Sequence, residues 1–140
     1  MILPDVNILV NAFRKDLADH RLCHDWLDST VLDVARFGIS PLSLSALVRV
    51  TTNKRSFRSP SSIEDAIGFC NEILDQPHCQ VIEPGERHWS IFSQLCIETK
   101  TTGPLISDAW YAALAIESGC EWITLDSDFA RFPGLKWQRP

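Results

Sequence analysis

A chain of 140 residues with 45% hydrophobic and 22% charged side chains has the proportions of one ordinary globular domain. Folding at this length buries roughly 68% of the surface an unfolded chain exposes, so neither a metal staple nor a disulfide framework is needed, and disorder is excluded as a default. Thirteen Lys and Arg against eighteen Asp and Glu leave a net charge of −5, which excludes a protein that coats nucleic acid by charge alone; any such contact must be local.

The apolar run Ile2 to Val10 mixes β-formers around Asp5 and reads as a first strand. Leu17, Leu22, Cys23, Trp26, Leu27 and Val31 then recur at helical spacing, which predicts an amphipathic helix from about Ala18 to Leu32. A short strand at Phe37 to Ser40 precedes a second helical stripe, Leu44, Leu47, Val48 and Thr51, that runs out at Asn53, and Lys54 to Pro60 reads as loop. Ser61 with Glu64 forms a capping box ahead of Ile63, Ala66, Ile67, Cys70, Ile73 and Leu74, and Pro77 ends that helix. Cys79 to Ile82 is a strand candidate, Glu86 to Lys100 a helix, and Gly103-Pro104 a break. Ser107 or Asp108 is expected to cap a last helix that Gly119 stops. Glu121 to Leu125 reads as a buried strand, and the tail from Phe132 to Trp137 as a source of an edge strand.

Strands alternating with helices imply an α/β fold, a parallel sheet flanked by helices on both faces, in a single domain over residues 1–140. Several crossovers carry two helices in place of one. The start of the chain lacks a basic region and is interrupted by Pro4, Asp5 and Asn7, so it fails as a signal peptide. No stretch approaches the ~20 apolar residues of a membrane span, and the expected location is the cytoplasm, with no membrane partner. Five widely spaced cysteines, without a Cys-x-x-Cys pair, read as reduced thiols.

The chemistry lies in the carboxylates at element ends. Asp5 near the end of the first strand and Asp126 after the last internal strand point to one sheet edge, where ligands of open parallel sheets bind. Asp108 opens the last helix and can reach that edge, and Asp128 follows two residues after Asp126. Carboxylates gathered in this way repel one another, and a hard divalent cation with oxygen ligands, Mg2+ or Mn2+, relieves the repulsion. Such a site suits phosphodiester hydrolysis. Simpler readings stand beside this one: Asp108 as a helix cap, Asp126-Ser127-Asp128 as a polar turn. Asp5 is harder to explain without function, because an acid within an apolar strand is costly unless paired or metal-bound.

Arg49 to Arg58 carries four positive charges and no acid, so it either grips a nucleic-acid backbone, with Phe57 stacking on a base, or is a solvated loop. His20, His24, His78 and His88 lack ligand partners at metal spacing and read as surface residues. Trp110, Trp122 and Trp137 read as core or partner surface.

The strings Leu-Pro-Asp5-Val-Asn7-Ile-Leu-Val, Ile-Ser-Asp108-Ala-Trp-Tyr-Ala-Ala-Leu-Ala-Ile-Glu-Ser-Gly and Ile-Thr-Leu-Asp126-Ser-Asp128-Phe-Ala-Arg-Phe-Pro-Gly-Leu resemble the PIN-domain toxins of the VapC type, and the likeness spans the whole chain. The resemblance implies the toxin of a type II toxin-antitoxin pair, an endoribonuclease dependent on Mg2+ or Mn2+, held inactive by a cognate antitoxin and usually a homodimer. By motif position it makes Asp5, Asp108 and Asp126 the metal-site acids, Asp128 a supporting acid and Asn7 a hydrogen-bonding neighbour. The family has Glu where this chain has Ala46. That loss implies weaker metal binding and slowed or abolished cleavage, whether the alanine is natural or was introduced to disarm the protein. Two further readings remain: a catalytically impaired module that binds RNA or antitoxin, and a phosphohydrolase of small esters using Asp5 as nucleophile, for which Asn7 stands where a second Asp is wanted.

Overall fold

The computed structural model describes residues 1–33 and 35–140. Its sheet has five strands, β1 (Ile2–Pro4), β2 (Phe37–Ile39), β3 (Cys79–Val81), β4 (Glu121–Ile123) and β5 (Trp137–Gln138), in the order β3-β2-β1-β4-β5. Every pairing is parallel. Helices α1 (Val6–Phe13) and α2 (His20–Leu32) join β1 to β2, α3 (Pro41–Thr51) and α4 (Ile63–Leu74) join β2 to β3, and α5 (His88–Thr99) and α6 (Ile106–Ser118) join β3 to β4. The expected double crossovers are present.

Alternating side chains on very short strands feed two cores. Phe37, Ile39 and Ile123 face α1 to α4, where Ile8, Leu9, Cys23, Leu27, Leu44, Leu47, Ala66 and Ile73 complete one cluster. Leu3 and Trp122 face the other way, onto Leu95, the alanine-rich face of α6, Phe129 and Phe132. Small residues along α6 let it lie close to the sheet. Helices thus cover both faces, as an all-parallel sheet requires.

Four local readings differ from expectation. The run from Ile2 to Val10 is not one strand: β1 stops at Pro4, and α1 begins at Val6 because Ile8, Leu9, Val10 and Ala12 find a core to enter, which overrides their β preference. The cap of α4 is Ser62, whose hydroxyl accepts from the Asp65 N–H at 3.1 Å, because the Ser61 hydroxyl is taken by Arg14 Nη1. A 3-10 turn at Gly103–Leu105 runs straight into α6, so that helix starts at Ile106 and neither Ser107 nor Asp108 caps it. His88 is buried at 2% exposure, contrary to the surface reading: its Nε2 lies 3.0 Å from the Trp110 carbonyl, and its ring packs on Trp110 and Phe92. Gly119 does end α6 in the left-handed region, with φ 68°.

All five cysteines carry free thiols, with Cys23, Cys70 and Cys120 buried. Burial pushes the Cys23 thiol up to about 11, which makes it a poor nucleophile. Among the described residues no helix is long and apolar enough to cross a membrane.

Candidate active site at the carboxyl edge of the sheet

β1 and β4 are neighbours in register, Pro4 opposite Ile123, so the next residues, Asp5 and Thr124, leave the sheet side by side. The Asp5 N–H donates to the Ile123 carbonyl at 2.8 Å, which holds the carboxylate at the seam. Thr124 Oγ1 donates to Asp5 Oδ2 at 2.6 Å, and Asn7 Nδ2 donates to the same oxygen at 2.8 Å. Asn7 Nδ2 also lies 3.0 Å from Thr124 Oγ1, and Asn7 Oδ1 accepts from the Leu125 N–H at 3.2 Å. Asn7 therefore stitches the first turn of α1 to the end of β4, and Asp5 is clamped from two sides.

Asp5 is 5% exposed. Burial pushes its pKa up to about 6; the Thr124 hydroxyl and the N–H groups of Val6 and Asn7 pull it back, and the Asp108 charge pushes it further up. Those N–H groups act electrostatically, since no side-chain hydrogen bond caps α1. Asp108, half-buried in the first turn of α6, is also raised, first by burial, then by Asp126 and Asp128, with Arg131 opposing. The acids from three elements thus sense one another along a single edge.

Asp126 adopts a polar turn: its Oδ1 accepts from the Asp128 N–H at 2.8 Å, and the Thr124 hydroxyl accepts from the Asp126 N–H at 3.0 Å. The turn opens the 3-10 segment Ser127–Arg131. Asp128 is exposed and pairs with Arg131 Nη2 at 3.4 Å. Asp128 thus belongs to the rim.

Among the described residues no three of His, Cys, Asp or Glu draw close enough to enclose one ion. The donor set still suits a hard divalent cation, because Mg2+ keeps several waters and is commonly held through one or two carboxylates. The elevated pKa of Asp5 beside Asp108 marks a place where added positive charge is favoured. Ala46 lies half-buried on α3, one turn beyond Ser43, where a glutamate would add a further oxygen donor.

Four further residues contribute to the site without a motif in the sequence to mark them. Thr124 is the hub of the hydrogen bonds just described, and its sequence signal is a polar residue within the apolar run Trp122 to Leu125, just past the end of β4. Tyr111, one turn after Asp108 on α6, is buried and stacks on Trp122 at 5.3 Å. Burial raises its phenol pKa, the Ser43 hydroxyl and Arg49 oppose the rise, and Asp5 and Asp108 add to it, so α3 and α6 meet at this site. The Ser43 hydroxyl is buried and lies beside that phenol short of a hydrogen bond of full geometry. Arg131 is the cation nearest the acids on the β4 side.

The basic stretch resolves into Arg49 on α3 and exposed Lys54, Arg55 and Arg58 on the following loop. Phe57 is no open stacking platform, because the Arg14 guanidinium covers its ring at 4.1 Å and it packs against the first core.

A PIN-domain family profile matches residues 2–135. Ribonuclease VapC25 of Mycobacterium tuberculosis (strain H37Rv) is 39% identical over 140 residues, covering 100% of this chain and 99% of its own. Ribonuclease VapC43 of the same strain is 38% identical over 140 residues, 100% of this chain and 95% of its own. Among solved structures, VapBC2 from Rickettsia felis, bound to a DNA fragment from its promoter, superposes with a TM-score of 0.72 at 20% identity, covering 99% of this chain and 98% of that one. Mycobacterium tuberculosis VapC20, described as a sarcin-ricin-loop-cleaving toxin, gives 0.70 at 13% identity, covering 96% and 98%. A profile match over nearly the whole chain, with such identity from end to end, means that the protein belongs to the PIN-domain family, in its VapC branch.

Proposed function

We propose that the chain is one PIN domain acting as the toxin of a type II toxin-antitoxin pair, a cytoplasmic endoribonuclease dependent on Mg2+ or Mn2+. The observation that carries the reading is the buried Asp5, clamped by Thr124 and Asn7 and facing Asp108 across the carboxyl edge. Support also comes from the full-length relatives named VapC ribonucleases. Neighbours that are VapBC complexes agree with an antitoxin partner, and a homodimer is part of the proposal.

In this reading the cation would be held through one or two of the carboxylates of Asp5, Asp108 and Asp126, and Ala46 leaves the place of the family's glutamate without a donor. When bound, a divalent ion neutralises phosphate charge and acidifies water. Asn7 and Thr124 fix the orientation of the Asp5 carboxylate. Arg131 and Arg49 supply positive charge on either side of the acids, and the loop after α3 holds the RNA backbone. Incubation of the purified protein with RNA and Mg2+ or Mn2+ tests this: cleavage is expected to stop with EDTA and in Asp5→Asn, and cleavage that survives both refutes it.

Ala46 favours a second reading, a module that keeps the fold and binds antitoxin or RNA without turnover. Tight RNA or antitoxin binding with no uptake of divalent ion and no cleavage distinguishes it. The small-ester phosphohydrolase draws no support from the site, where Asn7 is committed to Asp5, Thr124 and Leu125.

A further inference from the structure

Arg14 follows the last turn of α1, and its guanidinium reaches the loop after α3 with Nη1 and its face, while Nε is buried without a hydrogen-bond partner. Nη1 donates to the Ser59 carbonyl at 2.7 Å and to Ser61 Oγ at 3.1 Å, and the cation lies over the Phe57 ring at 4.1 Å. Nη2 pairs with Asp16 at 2.7 Å, which holds that carboxyl below its usual range. The Arg14 side chain is only 11% exposed. The Ser61 N–H closes the loop on the Thr51 carbonyl at 2.8 Å. A long cation with this many fixed partners is a brace, since it is buried among groups it orders and has little left for solvent. What it orders is a loop whose outward side chains are Lys54, Arg55 and Arg58. Arg58 and Lys15 flank an open depression of about 610 Å3 between the loop and the end of α1, which Asp16, already paired with Arg14, and Asp65 also line.

We propose that Arg14 is a positioning residue that braces this loop as a preformed grip for the backbone of the RNA strand; the inference rests on the ribonuclease reading. Charges held in place on a braced loop bind a polyanion without the ordering cost that a loose loop bears. Asp5 precedes α1 and Arg14 follows it, so the two are separated by about 13 Å along the helix at ~1.5 Å per residue.

The test is fluorescence anisotropy with a labelled oligouridylate in EDTA, so that binding is read without turnover. A strand of about twelve nucleotides, long enough at ~3.4 Å per phosphate to span both places, is compared with a dinucleotide. Arg14→Lys keeps the charge and loses the fork, and the charge-neutral Ser61→Ala removes one partner with little risk to folding. The long strand is expected to bind about tenfold more weakly to Arg14→Lys and two- to threefold more weakly to Ser61→Ala. The triple variant Lys54→Ala, Arg55→Ala, Arg58→Ala is expected to reduce the salt slope by about 2, at ~0.7 per phosphate contact. In that background Arg14→Lys is expected to add nothing, and trypsin is expected to cut the loop faster in Arg14→Lys alone. Unchanged RNA affinity in Arg14→Lys and Ser61→Ala, or an equal loss with the three loop charges already gone, overturns the brace. So does loss of binding to an oligoglutamate peptide without loss of RNA, which assigns the loop to an acidic protein partner. Loop-dependent RNA binding without metal-dependent cleavage leaves the brace standing and removes the ribonuclease reading.

Discussion

The Thr124 hydroxyl reaches Asp5 Oδ2 at 2.6 Å across the seam between β1 and β4, joining residues 119 positions apart in sequence. The same hydroxyl accepts from Asp126 N–H, so one threonine ties two of the candidate metal acids together. Thr124→Val keeps the shape and leaves Asp5 Oδ2 and the Asp126 N–H short of a partner. The expected cost is about 2–3 kcal/mol, or roughly 5–10 °C in Tm, with Thr124→Ser restoring most of it. A melting series over the three proteins checks this.

A carboxyl whose pKa stands at about 6 in place of 3.8 is favoured in its protonated form by the fold. Its contribution to stability is fully present below the unfolded value and is lost as pH rises through about 6, a change of order 2–3 kcal/mol. Asp5→Asn is therefore expected to melt several degrees above the native protein near pH 8, with the difference fading below about pH 4. A difference that does not vary with pH contradicts the assignment of burial as the cause.

Ala46→Glu places a fourth carboxylate one turn beyond Ser43, on the face of α3 that meets Tyr111 and the acids. Without divalent ion the variant is expected to be less stable, because like charges are crowded. With Mn2+ it is expected to cleave RNA at least tenfold faster than the native chain, an improvement of about 1.4 kcal/mol in barrier. Initial rates across a Mn2+ titration measure it, and no gain refutes the account of this position.

Gly38 sits in the middle of β2, where a Cβ would come within 2.7 Å of Ile82 Cγ1 and 3.3 Å of the Ile2 carbonyl. Gly38→Ala is expected to cost about 1–3 kcal/mol by overpacking. Denaturant unfolding reads the loss, and RNA binding measured well below the melting temperature is expected to be unchanged.

The sequence made the alternation of strands and paired helices legible because three-residue strands bounded by Pro and Gly stand out between strong helical stripes. Asp5, Asp108 and Asp126 could be assigned to one edge from parallel topology alone. The start of α1 was hidden, since Val6 to Val10 has strand propensity and becomes helical only through the core it enters. The partners of Asp5 were hidden for a related reason: Thr124 is distant in sequence, and only the β1–β4 register shows that it stands beside the acid. His88 reads as a surface residue in the sequence because its burial rests on a carbonyl of α6 and two aromatic rings that no local pattern reveals.

Mn2+ titration by calorimetry, on the native chain and on Asp5→Asn and Asp108→Asn, addresses the acid cluster most directly. Saturable binding to the native chain that weakens at least tenfold in each variant is the expected result. Equal binding in all three proteins, or none in the native chain, contradicts a metal site at this edge.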